Sequence, residues 1–244
     1  MNIIINGANG RMGRILCQCI QEGGVHAVAA RVDWSYAAGD GYSELKQYDG
    51  PADAVIDFSN HAATGAVMEY CVSRNLPVVV ATTGQTEAEL ALIGECAKSV
   101  PVFLSANMSV GVALLADLAR RAAAMFPDAD IEIIERHHNQ KLDVPSGTAL
   151  LLARRIQEAR PRAELLVGRH ENGRRSANEI GIHSLRYGGE VGTHEIIVAT
   201  GSETITLKHE AENRSLFARG ALAAAEFIAG KGPGLYDMRS IIEA

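Results

Sequence analysis

Short apolar runs alternate with amphipathic, helix-like segments through the first hundred residues, and this alternation constrains the fold more than any other feature. Strands that are apolar on both faces need cover on both sides, and parallel neighbours need a crossover connection, which a helix supplies. The pattern therefore predicts an α/β fold built on a doubly wound parallel sheet. The predicted strands are 2–6, 25–30, 54–58, 77–81 and 102–104, with helices at 11–21, 62–74 and 86–98.

A different pattern begins after a long helix predicted at 110–126. The strands predicted here alternate apolar and polar residues, which is typical of a sheet with one partly polar face. A last helix is predicted at 215–229. We therefore expect a second domain at 109–213, with the last thirty residues returning to the first domain. The strands predicted for this second domain are 130–135, 179–187, 195–199 and 204–209.

Composition narrows the class of partner. With 23 basic against 29 acidic residues, the net charge of −6 argues against a nucleic-acid or membrane-surface binder, because such binding depends on accumulated Lys and Arg. We therefore expect a small-molecule partner. Neither a signal peptide nor a membrane span is predicted, because the N-terminus lacks a basic segment and the longest uncharged run contains Pro101.

The cysteines indicate the compartment. None of them has CxxC spacing, and most fall within apolar helical patterns, so reduced core thiols are favoured over metal ligands. Reduced thiols are typical of the cytoplasm, which is the expected location. The cysteines are Cys17, Cys19, Cys71 and Cys96.

A glycine-rich segment, IIINGANGRMGRIL, joins the first strand to the first helix. Gly7 suits a tight turn, Gly10 lets backbone approach a pyrophosphate, and Gly13 lets strand and helix pack closely. Asp33 follows the second strand, where a carboxylate can accept hydrogen bonds from the hydroxyls of an adenine ribose. The segment predicts a dinucleotide site, although an ordinary strand-to-helix turn and a solvated Asp33 remain alternatives.

The choice between NADH and NADPH stays open at this point. Asp33 favours NADH, whereas Arg11, Arg14 and Arg31 are near enough in sequence to accept an extra phosphate. Two further loops, DFSN at 57–60 and ATTG at 81–84, follow strands at the presumed carboxyl edge, where cofactors bind. Their small residues would let a nicotinamide approach the backbone, but such loops are also common turns.

A charged cluster opens the segment HHNQKLDVPSGTAL at 137–150. His137 and His138 titrate near neutrality and Lys141 adds a fixed cation, as expected if a carboxylate must be held and a proton delivered. We expect different roles for the two histidines, and we expect Asp143 to orient the loop or to pair with Lys141. A zinc site is disfavoured because HExxH spacing and a nearby cysteine are missing, and a surface loop without function is a further alternative.

The same segment continues into a helix predicted to run to residue 159. Pro145 suits the start of a helix, and Ser146, Gly147 and Thr148 place free N–H groups and hydroxyls at its N-terminus. This arrangement predicts an anion site. Helix capping by Ser146 alone would explain only one of these residues.

The segment EIIERHHNQKLDVPSGTA at 132–149 resembles the active-site motif of the dihydrodipicolinate reductase (4-hydroxy-tetrahydrodipicolinate reductase) family. The stretches NGANGRMG, DFS, TTG, SANMSVGV, LRYGGEVGTHE, FARGAL and GLYDM extend the resemblance along almost the whole chain. The resemblance implies His137 as the acid, His138 as a contact to a substrate carboxylate, and Lys141 as an essential cation for binding and catalysis. The implied carboxylate clamp consists of Ser146, Gly147 and Thr148.

The resemblance also implies an NADH- or NADPH-dependent reduction of a cyclic dicarboxylate in diaminopimelate and lysine biosynthesis, without a metal. It implies a Rossmann-like cofactor domain at 1–108 and 214–244. A central α+β domain at 109–213, with a mixed open sheet, would bind substrate and form a homotetramer. Together with the position of Asp33 after the second strand and of Ala81 before TTG, the matching stretches predict cofactor contacts at Gly7, Asn9, Gly10, Arg11, Met12, Gly13, Asp33, Phe58, Ser59, Ala81, Thr82, Thr83, Ala106, Asn107 and Met108.

Some positions depart from the family pattern. Ala81 stands where the family often has glycine, Thr193 stands where an acidic residue is common, and the second strand ends in RVD where some members have Glu-Arg. Two other hypotheses stay open. A nicotinamide-binding sensor would need the glycines but not the cluster around His137, and a semialdehyde dehydrogenase would have less use for two carboxylate sites.

Overall fold

The computed structural model describes residues 1–244, which separate into two compact units. The first unit consists of Met1–Val110 and Arg214–Ala244, and the second unit is Gly111–Asn213. The strands are β1 (Asn2–Asn6), β2 (Ala27–Val32), β3 (Ala54–Asp57), β4 (Val78–Val80), β5 (Pro101–Leu104), β6 (Asp130–His137), β7 (Glu164–Val167), β8 (Glu179–Arg186), β9 (Gly192–Ala199), β10 (Thr204–Ala211) and β11 (Gly234–Tyr236). The helices are α1 (Arg11–Gly23), α2 (Thr64–Ser73), α3 (Glu87–Cys96), α4 (Val110–Met125), α5 (Gly147–Ala159), α6 (Ser215–Ile228) and α7 (Met238–Ile242).

The first unit contains a parallel sheet in the order β11-β5-β4-β3-β1-β2. Its central strands β3 and β4 are buried along their whole length, as the apolar runs predict for strands covered on both faces. The strand order reverses between β1 and β3, and ligands of such sheets bind outside the carboxyl ends of the strands at that point. The prediction of a doubly wound parallel sheet is confirmed.

The second unit contains a mixed sheet in the order β10-β9-β6-β8-β7. Strand β6 pairs parallel with β8 and antiparallel with β9. Buried and half-buried residues alternate along β6, so one face of this strand contributes to the core and the other does not. The core side chains include Ile131 and Ile133 of β6, together with Leu152 and Ile156 of α5.

Three short elements were not predicted from the sequence: β7, β11 and α7. Strands of four and three residues and a helix of five residues are too short to show a period of their own. The third helix begins as predicted, because Thr86 and Glu89 form a capping box at its N-terminus. Strand β6 continues to His137, two residues beyond the predicted end, which places this histidine on a strand rather than in a loop.

No helix in the chain combines the length and the apolar character that a membrane crossing requires.

Candidate active site

The glycine segment after β1 is packed so closely that two of its glycines have no room for a side chain. Gly7 has a φ of +79°, and a Cβ there would lie 2.6 Å from the carbonyl oxygen of Phe58. A Cβ at Gly13 would lie 2.1 Å from the carbonyl oxygen of Gly7. The loop after β1 therefore packs against the loop after β3, and the first turn of α1 packs against the loop after β1.

Helix α1 begins without a side-chain cap. Gly10 is the N-cap residue in an extended conformation, and no side chain accepts from the N–H groups of the first turn. Those N–H groups and the positive end of the helix dipole suit an anion. Of the predicted neighbours, Arg11 is exposed, Met12 is half-buried, and Asn9 precedes Gly10 at the loop.

Asp33 lies directly after β2 and is held by three hydrogen bonds. Its carboxylate accepts from the Ser35 hydroxyl at 2.6 Å, the Ser35 amide at 3.0 Å and the Asn9 amide at 3.1 Å. Burial opposes ionisation of this carboxyl, but the bonds from Ser35 and Asn9 outweigh that effect and lower its pKa. Asp33 is therefore an oriented anion beside the glycine segment.

A cavity of about 720 Å³ adjoins this segment within the first unit. It brings together five of the predicted cofactor contacts, from the loops after β1, β2 and β3. These are Gly7, Gly10, Asp33, Phe58 and Ser59.

A buried polar cluster joins the carboxyl ends of three adjacent strands. Asp57, the last residue of β3, accepts from Asn6 Nδ2 at 2.8 Å, Ser59 Oγ at 2.6 Å and Thr82 Oγ1 at 2.8 Å. Burial raises the pKa of Asp57, and the hydrogen bonds from Ser59, Thr82 and Asn6 oppose that rise. The hydroxyl of Thr82, a predicted cofactor contact, therefore holds the loop after β4 in place.

The other predicted cofactor contacts follow β4 and β5 at the same edge of the sheet. Thr83 and Ala106 are exposed, and Ala81 is buried. Asn107 Oδ1 accepts from the amide of Ser109, and Met108 is buried. None of these five lines the cavity. The five are Ala81, Thr83, Ala106, Asn107 and Met108.

In the second unit, His137 is the last residue of β6 and is buried. Its Nδ1 lies 2.5 Å from Oε2 of Glu135, two residues earlier on the same face of the strand. A carboxylate can only accept, so Nδ1 carries the proton and Nε2 is left for other chemistry. A Cβ at Gly192 would lie 2.9 Å from Nε2, so the glycine makes room for the ring.

Glu135 is fully buried, and its carboxylate accepts hydrogen bonds from Arg186 and Ser146 besides His137. Arg186 donates to both of its oxygens at 2.8 Å, and the Ser146 amide donates to Oε1 at 3.1 Å. Burial opposes ionisation, but the hydrogen bonds from His137 and Arg186 dominate and hold the pKa of Glu135 well below its usual range. The ion pair of buried Glu135 with half-buried Arg186 fixes the tautomer and the position of His137.

Ser146 is the N-cap of α5, and its hydroxyl is already engaged on both sides. It accepts from the amide of Ala149 at 3.2 Å and lies 3.1 Å from Nε2 of His194. Burial, assisted by the neighbouring His137, lowers the pKa of His194 to about 3. His194 is therefore neutral, and its ring meets that of His137 edge-on with centroids 5.2 Å apart.

Lys141 and His138 lie on the loop between β6 and α5. Lys141 Nζ is 2.7 Å from Oδ1 of Asp143, so the predicted pairing is confirmed, and this bond lowers the pKa of Asp143. The same loop is anchored by Arg186, which donates to the carbonyl of Asp143 at 2.7 Å. His138 is half-buried, and its amide donates to the carbonyl of Glu190.

The N-terminus of α5 has room beside it. Gly147 is exposed, and a Cβ there would meet no atom within 4 Å. Thr148, in the first turn, is half-buried. The second unit thus combines a helix N-terminus, a lysine and an oriented histidine, as an anionic substrate that accepts a proton requires.

Sequence reasoning missed Glu135, Arg186, His194 and Asp57. Glu135 had a usable signal, because residues two apart on a strand share a face and Glu135 stands two before His137. The contributions of Arg186 and His194 depend on the pairing of β6 with β8 and β9, which no local pattern encodes. No group of three or more His, Cys, Asp or Glu side chains is arranged to hold a metal ion.

Comparisons with known proteins agree on one family. The model described as "Dihydrodipicolinate reductase, N-terminus" matches residues 1–108, and "Dihydrodipicolinate reductase, C-terminus" matches 111–242. A 4-hydroxy-tetrahydrodipicolinate reductase of Caldanaerobacter subterraneus subsp. tengcongensis is 43% identical over 247 residues, covering 100% of this chain and 98% of the relative. One from Caulobacter vibrioides is 41% identical, covering 99% of this chain and 97% of the relative.

Solved structures give the same result. A dipicolinate-bound dihydrodipicolinate reductase from Paenisporosarcina sp. TG-14 has a TM-score of 0.84 and 26% identity, covering 99% of both chains. A probable dehydrogenase from Thermotoga maritima, with a TM-score of 0.60 and 11% identity over 98% of this chain and 92% of its own, shares the fold alone. The chain therefore belongs to the dihydrodipicolinate reductase family of oxidoreductases.

Proposed function

We propose that, in the reaction of this family, His137 delivers a proton to a cyclic dicarboxylate held in the second unit, while the first unit holds NADH or NADPH. The reaction is the reduction of 4-hydroxy-tetrahydrodipicolinate, in diaminopimelate and lysine biosynthesis. One observation carries the proposal. The ion pair of buried Glu135 with half-buried Arg186 orients His137, and Lys141 and the N-terminus of α5 follow on the next segment of chain.

The residues of the first unit fit a nicotinamide dinucleotide. The uncapped N-terminus of α1 after Gly10 suits the pyrophosphate, and Asp33 has lone pairs left for ribose hydroxyls. The loops after β3 and β4, held by the cluster around Asp57, have small side chains that suit the nicotinamide half. When bound, the reduced cofactor supplies the hydride. The proposed contacts also include Asn9, Arg11, Met12, Gly13, Phe58, Ser59, Ala81, Thr82, Thr83, Ala106, Asn107 and Met108.

The substrate carboxylates would be held at the N-terminus of α5. The N-terminus of α5 suits an anion, and the amide of Gly147 there already donates to the carboxylate of Asp143, while the hydroxyl of Ser146 is engaged with Ala149 and His194. We therefore propose that Ser146 acts by capping α5 with its hydroxyl and by donating its main-chain amide to Glu135. His138 and Lys141 supply the remaining contacts to the substrate carboxylates.

Hydride addition to the conjugated imine leaves a negatively charged, enamine-like carbon. Lys141 lowers the energy of that charge, and this helps most where the charge grows in the transition state. His137 supplies the proton from Nε2, because Nδ1 is held by Glu135. After the transfer, the neutral His137 ring keeps its proton on Nδ1, hydrogen-bonded to Glu135. His137 therefore stays in place until Nε2 is protonated again.

We also propose that residues 109–213 form the substrate-binding and assembly domain of a homotetramer. Half-buried Ile134 and Ile197 and exposed Leu185 lie on the sheet of the second unit, and an apolar residue left uncovered favours association. Light scattering coupled to gel filtration measures the assembly directly. A monomer at micromolar concentration would contradict this part of the proposal.

The test is oxidation of NADH and of NADPH by the purified protein, supplied with the fresh condensation product of pyruvate and aspartate semialdehyde. We expect turnover, and we expect His137→Gln to lower kcat by about 10²-fold or more with little change in KM. Cofactor binding without turnover, beside a control enzyme active in the same mixture, would favour a sensor or a semialdehyde dehydrogenase. An unchanged kcat in His137→Gln would remove this histidine from the chemistry.

A further inference from the structure

Trp34 is a large aromatic side chain in an unusual place. It directly follows Asp33, lines the cavity beside the glycine segment, and is 88% exposed. The chain has 1 tryptophan in 244 residues, so this single indole is left to solvent at the mouth of a cavity. Flat aromatic rings at such sites stack on nucleic-acid bases, each of which has an apolar face.

The walls around Trp34 carry carboxylates. Asp33, Glu44 and Glu69 line the same cavity, and hydrogen bonds from Ser35 and Asn9 hold Asp33 as an oriented anion. The cation of this wall, Lys46, lies 2.6 Å from Oε2 of Glu44 and is already paired. The charge around the indole is therefore negative.

The arginines that could accept an extra phosphate lie outside the lining of this cavity. Arg14 donates to Asn9 Oδ1 at 2.7 Å, and Arg31 donates to the carbonyl of Asp40 at 3.1 Å. Neither lines the cavity, and Arg11 does not line it either. A phosphate in the cavity would meet the carboxylates of Asp33, Glu44 and Glu69, while the guanidinium of Arg14, whose charge reaches Asp33, is held by Asn9 outside the cavity lining.

We infer that Trp34 is the stacking platform for the adenine ring, and that Asp33 with Glu44 and Glu69 makes the chain select NADH over NADPH. The inference rests on the nicotinamide cofactor of the proposed function and names which form of it the site accepts. Asp33 gains hydrogen bonds from the free ribose hydroxyls of NADH. The 2′-phosphate of NADPH removes one of those donors and adds like charge beside the carboxylates.

The single indole provides a readout that needs no turnover. Titration of the wild-type protein with ADP-ribose should change the Trp34 fluorescence as NADH does, while nicotinamide mononucleotide should leave it unchanged. ADP-ribose 2′-phosphate should bind about 10-fold to 10²-fold more weakly than ADP-ribose, because its extra phosphate brings like charges together. Calorimetry should give the same ratio between the dissociation constants of NADPH and NADH.

Variants separate the platform from the charge. Measured by calorimetry, Trp34→Leu should weaken the binding of ADP-ribose and of NADH by about 10-fold, because one base–aromatic stack is lost. Trp34→Phe should retain most of the wild-type affinity, because a ring is still present. Asp33→Asn and the Glu44→Gln/Glu69→Gln pair should narrow the preference for NADH. Glu22→Gln, an exposed acid on α1 that does not line the cavity, is the matched control and should leave the preference unchanged.

Equal or tighter binding of NADPH would overturn the selectivity, and an unchanged indole signal at saturating ADP-ribose would overturn the platform. The outcomes also separate this inference from the reductase assignment. ADP-ribose binding at Trp34 without substrate turnover supports the subsite and refutes the reductase role. Turnover without an indole response to ADP-ribose refutes the subsite alone.

Discussion

Two buried carboxylates occupy equivalent positions in the two units, at the carboxyl end of a central strand, and their surroundings differ. Asp57 at the end of β3 is held by uncharged donors, the Asn6 amide and the Ser59 and Thr82 hydroxyls. Glu135, near the end of β6, is held by the guanidinium of Arg186 and the imidazole of His137. The carboxylates are 1% and 0% exposed, so burial alone does not distinguish them.

The difference lies in the partner charge. Without a cation, burial raises the pKa of Asp57, whereas the bonds to His137 and Arg186 overcome burial and lower the pKa of Glu135. A carboxyl bonded by neutral donors ties three loops together and can do so in either protonation state. A carboxyl kept ionised by a guanidinium can orient a histidine that exchanges protons. In the proposed mechanism, the acid of the first unit shapes the cofactor site, and the acid of the second unit supports proton transfer.

Loss of a cation from the second unit should have the largest effect. We expect Lys141→Ala to reduce kcat/KM by about 10³-fold, with both kcat and KM affected, because the charge serves binding and the transition state. Asp143→Asn is the control, since it removes the ion-pair partner of Lys141 and keeps the cation. Steady-state kinetics on both variants provide the test, and a loss confined to thermal stability would make Lys141 structural.

Glu135→Gln should lower kcat by about 10²-fold with little change in KM, as expected when an acid loses the group that orients it. The glutamine amide would turn a donor toward Nδ1 of His137 and disfavour the doubly protonated ring that gives up the proton. Glu132→Gln, on the opposite face of β6, is the matched control. Equal losses in the two variants would show that the effect is not specific to the site.

The two carboxylates should respond to pH with opposite signs. The lowered pKa of Glu135 stabilises the fold above the ordinary Glu pKa of about 4.3, and this contribution is lost as pH falls. The raised pKa of Asp57 makes the folded state bind the extra proton, so its contribution is lost as pH rises above about 3.9.

Urea unfolding between pH 3 and 7 measures this difference. The destabilisation caused by Glu135→Gln should shrink toward pH 3, and that caused by Asp57→Asn should shrink toward pH 7. His194, with its pKa lowered to about 3, contributes equally to the wild type and to Asp57→Asn and cancels there, whereas Glu135 is among the groups that set its pKa, so the slope for Glu135→Gln includes the change at His194. If the destabilisation changed with pH in the same direction for both variants, the assigned ionisation states would be refuted.

Thr82→Val should have the smallest effect, a loss of about 1–2 kcal/mol of unfolding free energy, because Oδ2 of the buried Asp57 loses its donor. Thr83→Val, at the next and exposed position, should stay within about 0.5 kcal/mol of the wild type. Equal effects at the two threonines would mean that the cluster around Asp57 does not stabilise the loop.

The sequence predicted most of the first unit because its strands are continuous apolar runs and its glycines precede a helix. The second sheet was predicted from alternation, as in β6, but its pairing was not, because β6 lies between β8 and β9, strands from distant segments. Arg186 and His194 belong to those neighbouring strands, so their contacts with Glu135 and Ser146 depend on register. By contrast, His137, Lys141 and the α5 N-terminus are contiguous, and a local pattern was enough to indicate them.

The central claim is that Glu135 acts through His137, and a double-mutant cycle in kcat tests it most directly. We predict that the Glu135→Gln/His137→Gln double variant has a kcat within about 3-fold of His137→Gln alone, since residues that act as a unit are not additive. A double variant whose loss equals the product of the two single losses would contradict the claim, because Glu135 would then contribute independently of the histidine.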